Sequence, residues 1–547
     1  MFTHQDLADM QAQSLKMQSW IRQQTFSPKM EKTLRRFSSW EVAELIFKVN
    51  QSTLRGRLAA DPSLPQGHVE EDGRQRWYSL EEINELRRRL KVNRKSLLPE
   101  RPAGKRALRV AISNFKGGAG KSTVALHFAH AAALDGYRVL CVDFDPQATL
   151  SHSMGLSDVT EDYTVWGIMA RDLVRETERM NASTRGAESG AALPERRLPE
   201  AITGMGLQDL RISDFVKPTS WPTIDVIPSC ANAAFVEFAS AQYRHLNPEW
   251  SFFAAVSRYL DQLPSEDYDM MIFDCPPAIG YQSMNAVFAA DMLYIPSGPG
   301  YWEYDSTTSF IGQLSEALED LSAFNGVVPA GTFSLPKVFQ EVRFLLTRYE
   351  SGNDLHRAMR DAFVKVFGDR MTEHPIEMTR AVEQSGRFLS SIYEIDYRDM
   401  TRETWRRARA SFDQAYMEFK DNALTAWAQL EDEAWASAEC STSIFRRSQQ
   451  LQNRRPPPLP PRSRTRQPAR RKPNPPSAQA RPGAGRWPLR SAKTPMRCGR
   501  GLRWNRISAP RMTGWRMSLC GSRRLALWST GSRWIRFPPA SWSATAR

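Results

Sequence analysis

The residues of this sequence best suited to chemistry are Lys116-Gly117-Gly118-Ala119-Gly120-Lys121-Ser122-Thr123. Glycines let a backbone approach a phosphate chain, and the first N–H groups of a following helix donate to it. A lysine at the end of such a loop reaches the outer phosphates, and the next hydroxyl can ligate Mg2+. Lys121 and Ser122 hold those two places, with Gly117, Gly118, Ala119, Gly120 and Thr123 forming the cradle. The usual spacing has another glycine where this chain has Phe115, and Lys116 heads the loop instead. Two acidic stretches accompany it: Asp143-Phe144-Asp145-Pro146-Gln147, and Asp274-Cys275-Pro276-Pro277 after the apolar run Met270–Phe273. An acid closing an apolar strand suits a carboxylate that holds Mg2+ through water, as expected for Asp274. Pro276 and Pro277 stiffen the segment that follows.

The elements that must position these residues are legible as continuous apolar runs. They are Leu108–Ser113, Val139–Asp143, Ile224–Pro228, Met270–Asp274, Met292–Pro296 and Phe344–Thr347. Such runs suit strands buried on both faces. Helical patterns lie between them, for example Val124–Asp135, closed by Gly136. The alternation predicts an α/β fold with a mostly parallel, doubly wound sheet and ligands at the carboxyl ends of the strands. Residues 175–200 are polar and aperiodic and read as a surface insertion, and 401–437 read as a terminal helix.

Before the sheet, Ser38–Ile46 reads as a short helix, Phe47–Val49 as a turn and Asn50–Leu58 as a second helix. That is the layout of a helix-turn-helix, whose second helix enters the major groove. Asn50, Gln51, Ser52 and Thr53 could read base edges, while Arg55 and Arg57 suit phosphates. Gln66–Tyr78 reads as a hairpin wing offering Arg74 and Arg76, and Ser79-Leu80-Glu81-Glu82 as a capping box opening another helix. Residues 1–30 read as a helical segment, a candidate for dimerisation.

The loop K-G-G-x-G-K-S resembles the deviant Walker A motif of the ParA/MinD ATPases. The three motifs occur in that family's order, and the resemblance covers roughly residues 107–400. It implies a P-loop NTPase using ATP and Mg2+. It also implies that Lys116 crosses the interface of an ATP-sandwich homodimer, that Asp145 organises the attacking water and that Asp143 lies near the metal. In relatives the region of Thr347 and Arg348 borders the adenine. With the N-terminal module, the chain is similar to the larger ParA- and RepA-type plasmid partition proteins. Their winged helix-turn-helix binds operator DNA and represses their own operon. The resemblance therefore implies an ATPase that binds operator and non-specific nucleoid DNA and is stimulated by a ParB-type centromere-binding partner. Arg343, Arg348, Arg380 and Arg387 are basic candidates for non-specific DNA contact.

Charge neither supports nor opposes this. The formal net charge of the 547 residues is +14, but residues 441–547 contain no acid and sum to +25, leaving −11 for residues 1–440. The tail holds 23 Arg and 15 Pro and reads as disordered, either a basic nucleic-acid tail or a stretch read out of frame. No apolar run is long enough for a membrane span, and the N-terminus lacks a secretory pattern. The six cysteines form no C-x-x-C pair, which argues against a zinc site or a disulfide scaffold. The expected setting is cytoplasmic and nucleoid-associated, with no membrane partner. The expected domains are 1–30, 31–100 (winged helix-turn-helix), 107–437 (ATPase) and the tail from 441. Two rivals remain at this stage: a repressor using ATP only as a conformational switch, and a MinD-like membrane-associated ATPase.

Overall fold

The computed structural model describes residues 3–26, 32–69, 75–92, 94–185, 198, 202, 207, 210–322, 336–387 and 389–430. The tail, Arg74 and the Glu71–Gly73 turn lie outside these residues, as do 186–197 of the expected insertion and 431–437 of the expected terminal helix.

A helix spans His4–Phe26. Beyond it, β1 (Phe37–Ser38), β2 (His68–Val69) and β3 (Arg76–Tyr78) form a small antiparallel sheet in the order β1-β3-β2. Two short helices, Glu41–Ile46 and Gln51–Ala60, lie between β1 and β2. The first is a π-helix rather than the α-helix expected over Ser38–Ile46, closed by Phe47 N–H donating to the carbonyl of Val42 at 2.9 Å. Its Glu41 is turned inward, where it accepts from the Ser38 N–H and hydroxyl at 3.0 Å each. A wide turn with a buried polar anchor is typical of such bulges. The helix Leu80–Arg89 opens with the full capping box between Ser79 and Glu82. A two-stranded ribbon, β4 (Lys91–Val92) with β5 (Lys95–Ser96), then leads to the main sheet.

That sheet contains β6 (Leu108–Ile112), β7 (Val139–Asp143), β8 (Lys217–Pro218), β9 (Ile224–Ile227), β10 (Met270–Asp274), β11 (Met292–Ser297) and β12 (Glu341–Leu346). Its order is β12-β11-β6-β10-β7-β9-β8, parallel except for the short edge strand β8. This is the doubly wound sheet the apolar runs predict; β8 was not visible because two residues carry no period. Alternation sorts the strands' side chains into two cores. Val110, Ile112 and Cys141 join the helices Lys121–Asp135 and Arg402–Ala428. Ala111, Leu140, Val142 and Phe273 face the helices Val165–Arg185, Ala255–Leu260, Tyr281–Ala289 and Tyr301–Ser322. The first core runs without a break into the N-terminal module, through Phe37, Val42, Leu54, Leu58, Ile83 and Leu86.

The helix Val165–Arg185 corrects the reading of 175–185 as part of an insertion. Leu173, Val174, Thr177 and Met180 recur at helical spacing and are buried, a pattern diluted by the charged residues between them. The helix is pinned where Asp172 accepts from the Arg258 Nε at 2.8 Å and the Trp250 Nε1 at 2.9 Å.

Candidate nucleotide site

The loop between β6 and the helix Lys121–Asp135 owes its shape to two glycines in the left-handed region, Gly118 at φ +75° and Gly120 at φ +89°. The space over Gly117 and Gly118 is open: a Cβ on either would meet nothing within 4 Å. The helix behind is almost wholly buried, and Gly136 ends it in the left-handed conformation. Its N-terminal N–H groups therefore point at the loop from a fixed base. Two distant residues brace the loop. Asn114 is fully buried and donates to the Pro296 carbonyl at 2.8 Å and to Thr307 at 3.0 Å. The Thr347 hydroxyl donates to the Ala119 carbonyl at 2.8 Å. His127, one helical turn past Thr123, is buried and held neutral, its pKa pushed down to about 4 by burial. Its Nδ1 lies 2.7 Å from the Thr123 carbonyl, and its Nε2 accepts the Ile392 N–H at 3.1 Å.

Parallel register sets Asp274 of β10 directly beside Asp143 of β7 at the sheet's carboxyl edge. Their environments differ. Asp143 accepts from the Ser151 N–H at 2.9 Å, the Ser151 hydroxyl at 2.7 Å and the Asp145 N–H at 3.0 Å. Burial raises its pKa to about 7 against those hydrogen bonds. Such a carboxylate shapes the Asp143–Gln147 turn through the Ser151 and Asp145 donors it accepts. Asp274 is fully buried, and neither of its oxygens has a hydrogen-bond partner among the described residues. Burial and then Asp143 push its pKa well above the usual carboxylate value; the Ser122 hydroxyl and Lys121 pull the other way. Lys121 is 6% exposed, and burial lowers its pKa while Asp274 and Asp145 oppose this. Asp145 is 8% exposed and accepts the Gln147 N–H at 2.9 Å.

An open glycine cradle, a buried ammonium and an unpartnered buried carboxylate together fit a magnesium-bound polyphosphate. Ser122 and Asp274 would hold the metal, and Lys121 the outer phosphates. Bound there, Mg2+ would neutralise charge between the β- and γ-phosphates.

The site places the remaining candidates as follows. Lys116 heads the loop, half-buried, its N–H 3.4 Å from Asn114 Oδ1. The Thr347 hydroxyl is spent on the loop, so Thr347 braces the cradle from behind and offers no donor to a base. Arg348 stands at φ +54° and pairs with Glu303 at 3.5 Å. Arg343 is tied to Glu341 at 3.2 Å and to the Asp369 carbonyl, and Arg380 is exposed. The Arg387 side chain lies outside the described residues. In the N-terminal module, Asn50 caps the second helix, and Gln51 donates to Glu44 at 2.9 Å and accepts from Arg55 at 3.2 Å. Ser52 and Arg57 are exposed and Thr53 is partly so. Arg76 is exposed, and its NH1 donates to the Gln66 carbonyl at 2.9 Å, bracing the hairpin.

Asn114, His127 and Ser151 were not singled out from sequence. A motif could have flagged Asn114, two residues before Lys116; the other two become visible only through their tertiary partners. For Thr347, removing the hydroxyl with Thr347→Val should weaken nucleotide binding by about 1 kcal/mol, the usual scale of one buried hydrogen bond. Titration with a fluorescent ATP analogue checks this, and unchanged affinity would remove Thr347 from the loop's support.

Fold and loop define a P-loop nucleotide-binding protein. Residues 108–323 match the family model described as an AAA domain. The chain is 29% identical over 419 residues to a replication protein A of Sinorhizobium fredii, covering 74% of this chain and 90% of that protein. It is 26% identical over 413 residues to protein SopA of Escherichia coli, covering 73% and 91%. It is 24% identical over 283 residues to the chromosome partitioning protein ParA of Caulobacter vibrioides, covering 51% and 84%. A solved partition protein covers 77% of this chain and 99% of its own, with 16% identity and a TM-score of 0.48. The chain is similar to partition ATPases of the ParA/MinD type, and its K-G-G-x-G-K-S loop is in keeping with that similarity.

Proposed function

We propose that the protein is an ATP-hydrolysing DNA partition protein. It dimerises on ATP with Lys116 reaching the partner's phosphates, binds nucleoid DNA, and is stimulated by a ParB-type centromere-binding protein. Its helix-turn-helix represses its own operon. The observation that carries the reading is the pair of lysines on one loop. Lys121 is turned inward to Asp274 and Asp145, while Lys116 stands at the loop's head and forms no ion pair among the described residues. ATP brings several negative charges, and a second cation supplied in trans would stabilise them in the transition state. The relatives' names, replication protein A and chromosome partitioning protein ParA, support the cargo assignment.

Within this site Lys121 would bind the β- and γ-phosphates, Asp145 would orient the attacking water, and the buried strand ends would exclude bulk solvent. Light scattering tests the reading. With ATP and Mg2+ the wild type should double in mass, whereas Lys116→Ala should stay monomeric and lose turnover by at least about 10-fold, in line with a catalytic cation supplied in trans. A Lys116→Ala protein that dimerises and turns over normally would overturn it.

A second reading, a repressor using ATP as a conformational switch, draws on Arg87. This arginine of the N-terminal module is buried and donates to the Leu134 carbonyl at the far end of the nucleotide-loop helix. Turnover absent with every DNA and partner would favour it. The membrane-associated rival gains no support. No helix among the described residues is long and apolar enough to cross a membrane, and the last described helix buries Trp405, Phe412 and Phe419 against the sheet.

A further inference from the structure

Glu237 lies in none of the nucleotide motifs, yet its carboxylate lies across the start of the helix Tyr281–Ala289. It accepts the Tyr281 N–H at 2.7 Å and the Gln282 N–H at 3.1 Å. Gly280 makes this approach possible, because a Cβ there would overlap both carboxylate oxygens. The Gln282 side chain returns the contact, donating to the Ala233 carbonyl at 2.9 Å. A carboxylate suits free helical N–H groups because charge and the helix dipole both favour it.

What this contact holds is the segment Cys275–Gly280, which begins at the unpartnered Asp274. At its start the Cys275 N–H donates to the Ile112 carbonyl at 3.2 Å. At its end the Gly280 N–H donates to Ser283 Oγ at 2.8 Å, and the Glu237 contacts follow immediately. The chain carrying Glu237 is itself hung from the other acidic loop: the Ser229 N–H donates to Ser151 Oγ at 2.9 Å, and that hydroxyl donates to Asp143 at 2.7 Å. Residues 229–237 thus bridge the Asp143–Gln147 turn and the Asp274–Gly280 segment, the two places where the metal-side and water-side acids sit.

We propose that Glu237 is a positioning residue for ATP hydrolysis, fixing the Cys275–Gly280 segment against the Asp143–Gln147 turn. The proposal rests on the ATPase reading above. Glu237 touches neither nucleotide nor water. Its loss should spare binding and slow the chemical step, since small misplacements of reacting groups cost on the order of 10²-fold.

The test uses the full chain, Mg-ATP as probe, and the variants Glu237→Ala, Glu237→Gln and Gly280→Ala. In Glu237→Ala and Gly280→Ala, amide exchange at Tyr281 and Gln282 should quicken by at least about 10-fold as the cap is lost. The Mg-ATP Kd should change by less than about 3-fold while kcat falls by about 10-fold or more. Glu237→Gln keeps one acceptor oxygen and should recover part of both effects. Wild-type kcat in Glu237→Ala, or unchanged exchange at the two amides, would overturn the proposal. So would a parallel loss of affinity, turnover and melting temperature without rescue by glutamine, because that would mark a merely structural contact. If the wild type itself shows no turnover under any condition, the ATPase reading fails and this proposal with it; the exchange rates would then report only on the cap.

Discussion

Asp274→Asn is expected to make the nucleotide-free protein more stable while removing its ATP turnover. The carboxylate is fully buried beside Asp143, with the Ser122 hydroxyl and Lys121 only partly offsetting the cost of ionising it. Ionising it there is unfavourable, which is why its pKa stands well above the ordinary value. Asparagine keeps the shape and removes the charge, so the folded state should gain about 1 kcal/mol at pH 8, the lower end of what a buried unsatisfied group costs. The pH dependence fixes the sign. A carboxyl whose folded pKa is raised contributes stability that is fully present below its unfolded pKa and is lost as pH rises through the folded one. The advantage of asparagine should therefore be greatest in mild alkali and shrink as acid protonates Asp274. Turnover should move the opposite way, falling on the order of 10²-fold or more as a charge that the transition state depends on disappears. Urea unfolding at pH 8 and pH 5, with a phosphate-release assay, measures both halves. A variant that is less stable at pH 8, or that keeps wild-type turnover, would show that Asp274 does not hold the metal.

The parts of the site that were legible in the sequence are those whose physics is local. The glycine loop must sit between a strand and a helix, and β6 and the helix Lys121–Asp135 supply them in consecutive residues. The sheet was legible for the same reason, since strands buried on both faces must be continuously apolar. What was not legible depends on partners far along the chain. Asp143 and Asp274 both close apolar strands, and the environments that set them apart, the Asp145 N–H and the N–H and hydroxyl of Ser151 in the short helix Thr149–Ser153, come from residues after Asp143. Thr347 reads as the start of a motif, yet its hydroxyl serves a carbonyl of the nucleotide loop. The wing arginine Arg76 is basic in a suitable place, and its brace to the Gln66 carbonyl, ten residues away, is a contact the sequence does not announce. The short helix over Ser38–Ile46 was legible, but not its π-helical turn at Glu41, which Arg35 and the buried Arg409 draw inward.

That same glutamate carries the largest stability effect expected of any single change outside the nucleotide site. Glu41 is 0% exposed and lies 2.7 Å from the Arg35 guanidinium and 3.7 Å from that of Arg409. Burial alone would raise its pKa; Arg35, Arg409 and the Ser38 N–H overcome this and hold it below the usual value. The three charges belong to different parts of the chain: the segment leading into β1, the helix Glu41–Ile46, and the helix Arg402–Ala428. Arg409 is 3% exposed, and although its Nε is 3.4 Å from Asp413, its NH1 has no hydrogen-bond partner among the described residues and lies 3.7 Å from Glu41. Glu41→Ala should therefore cost about 3 kcal/mol, because it strips Arg35 and the buried Arg409 of a shared carboxylate, with Asp413 still offsetting part of the Arg409 charge. Replacing Arg35, Glu41 and Arg409 together by methionine, leucine and methionine should recover most of that loss, because desolvating an ion network offsets much of its attraction. The Glu41 contribution is present above its unfolded pKa and fades as pH falls through the lower folded value, so the two proteins should converge in strong acid. Urea unfolding of wild type, Glu41→Ala and the triple variant decides the matter. A loss below about 1 kcal/mol for Glu41→Ala would place the network among weak surface pairs. A triple variant no more stable than Glu41→Ala would mean that the charges themselves fix how the N-terminal module seats on the helix Arg402–Ala428.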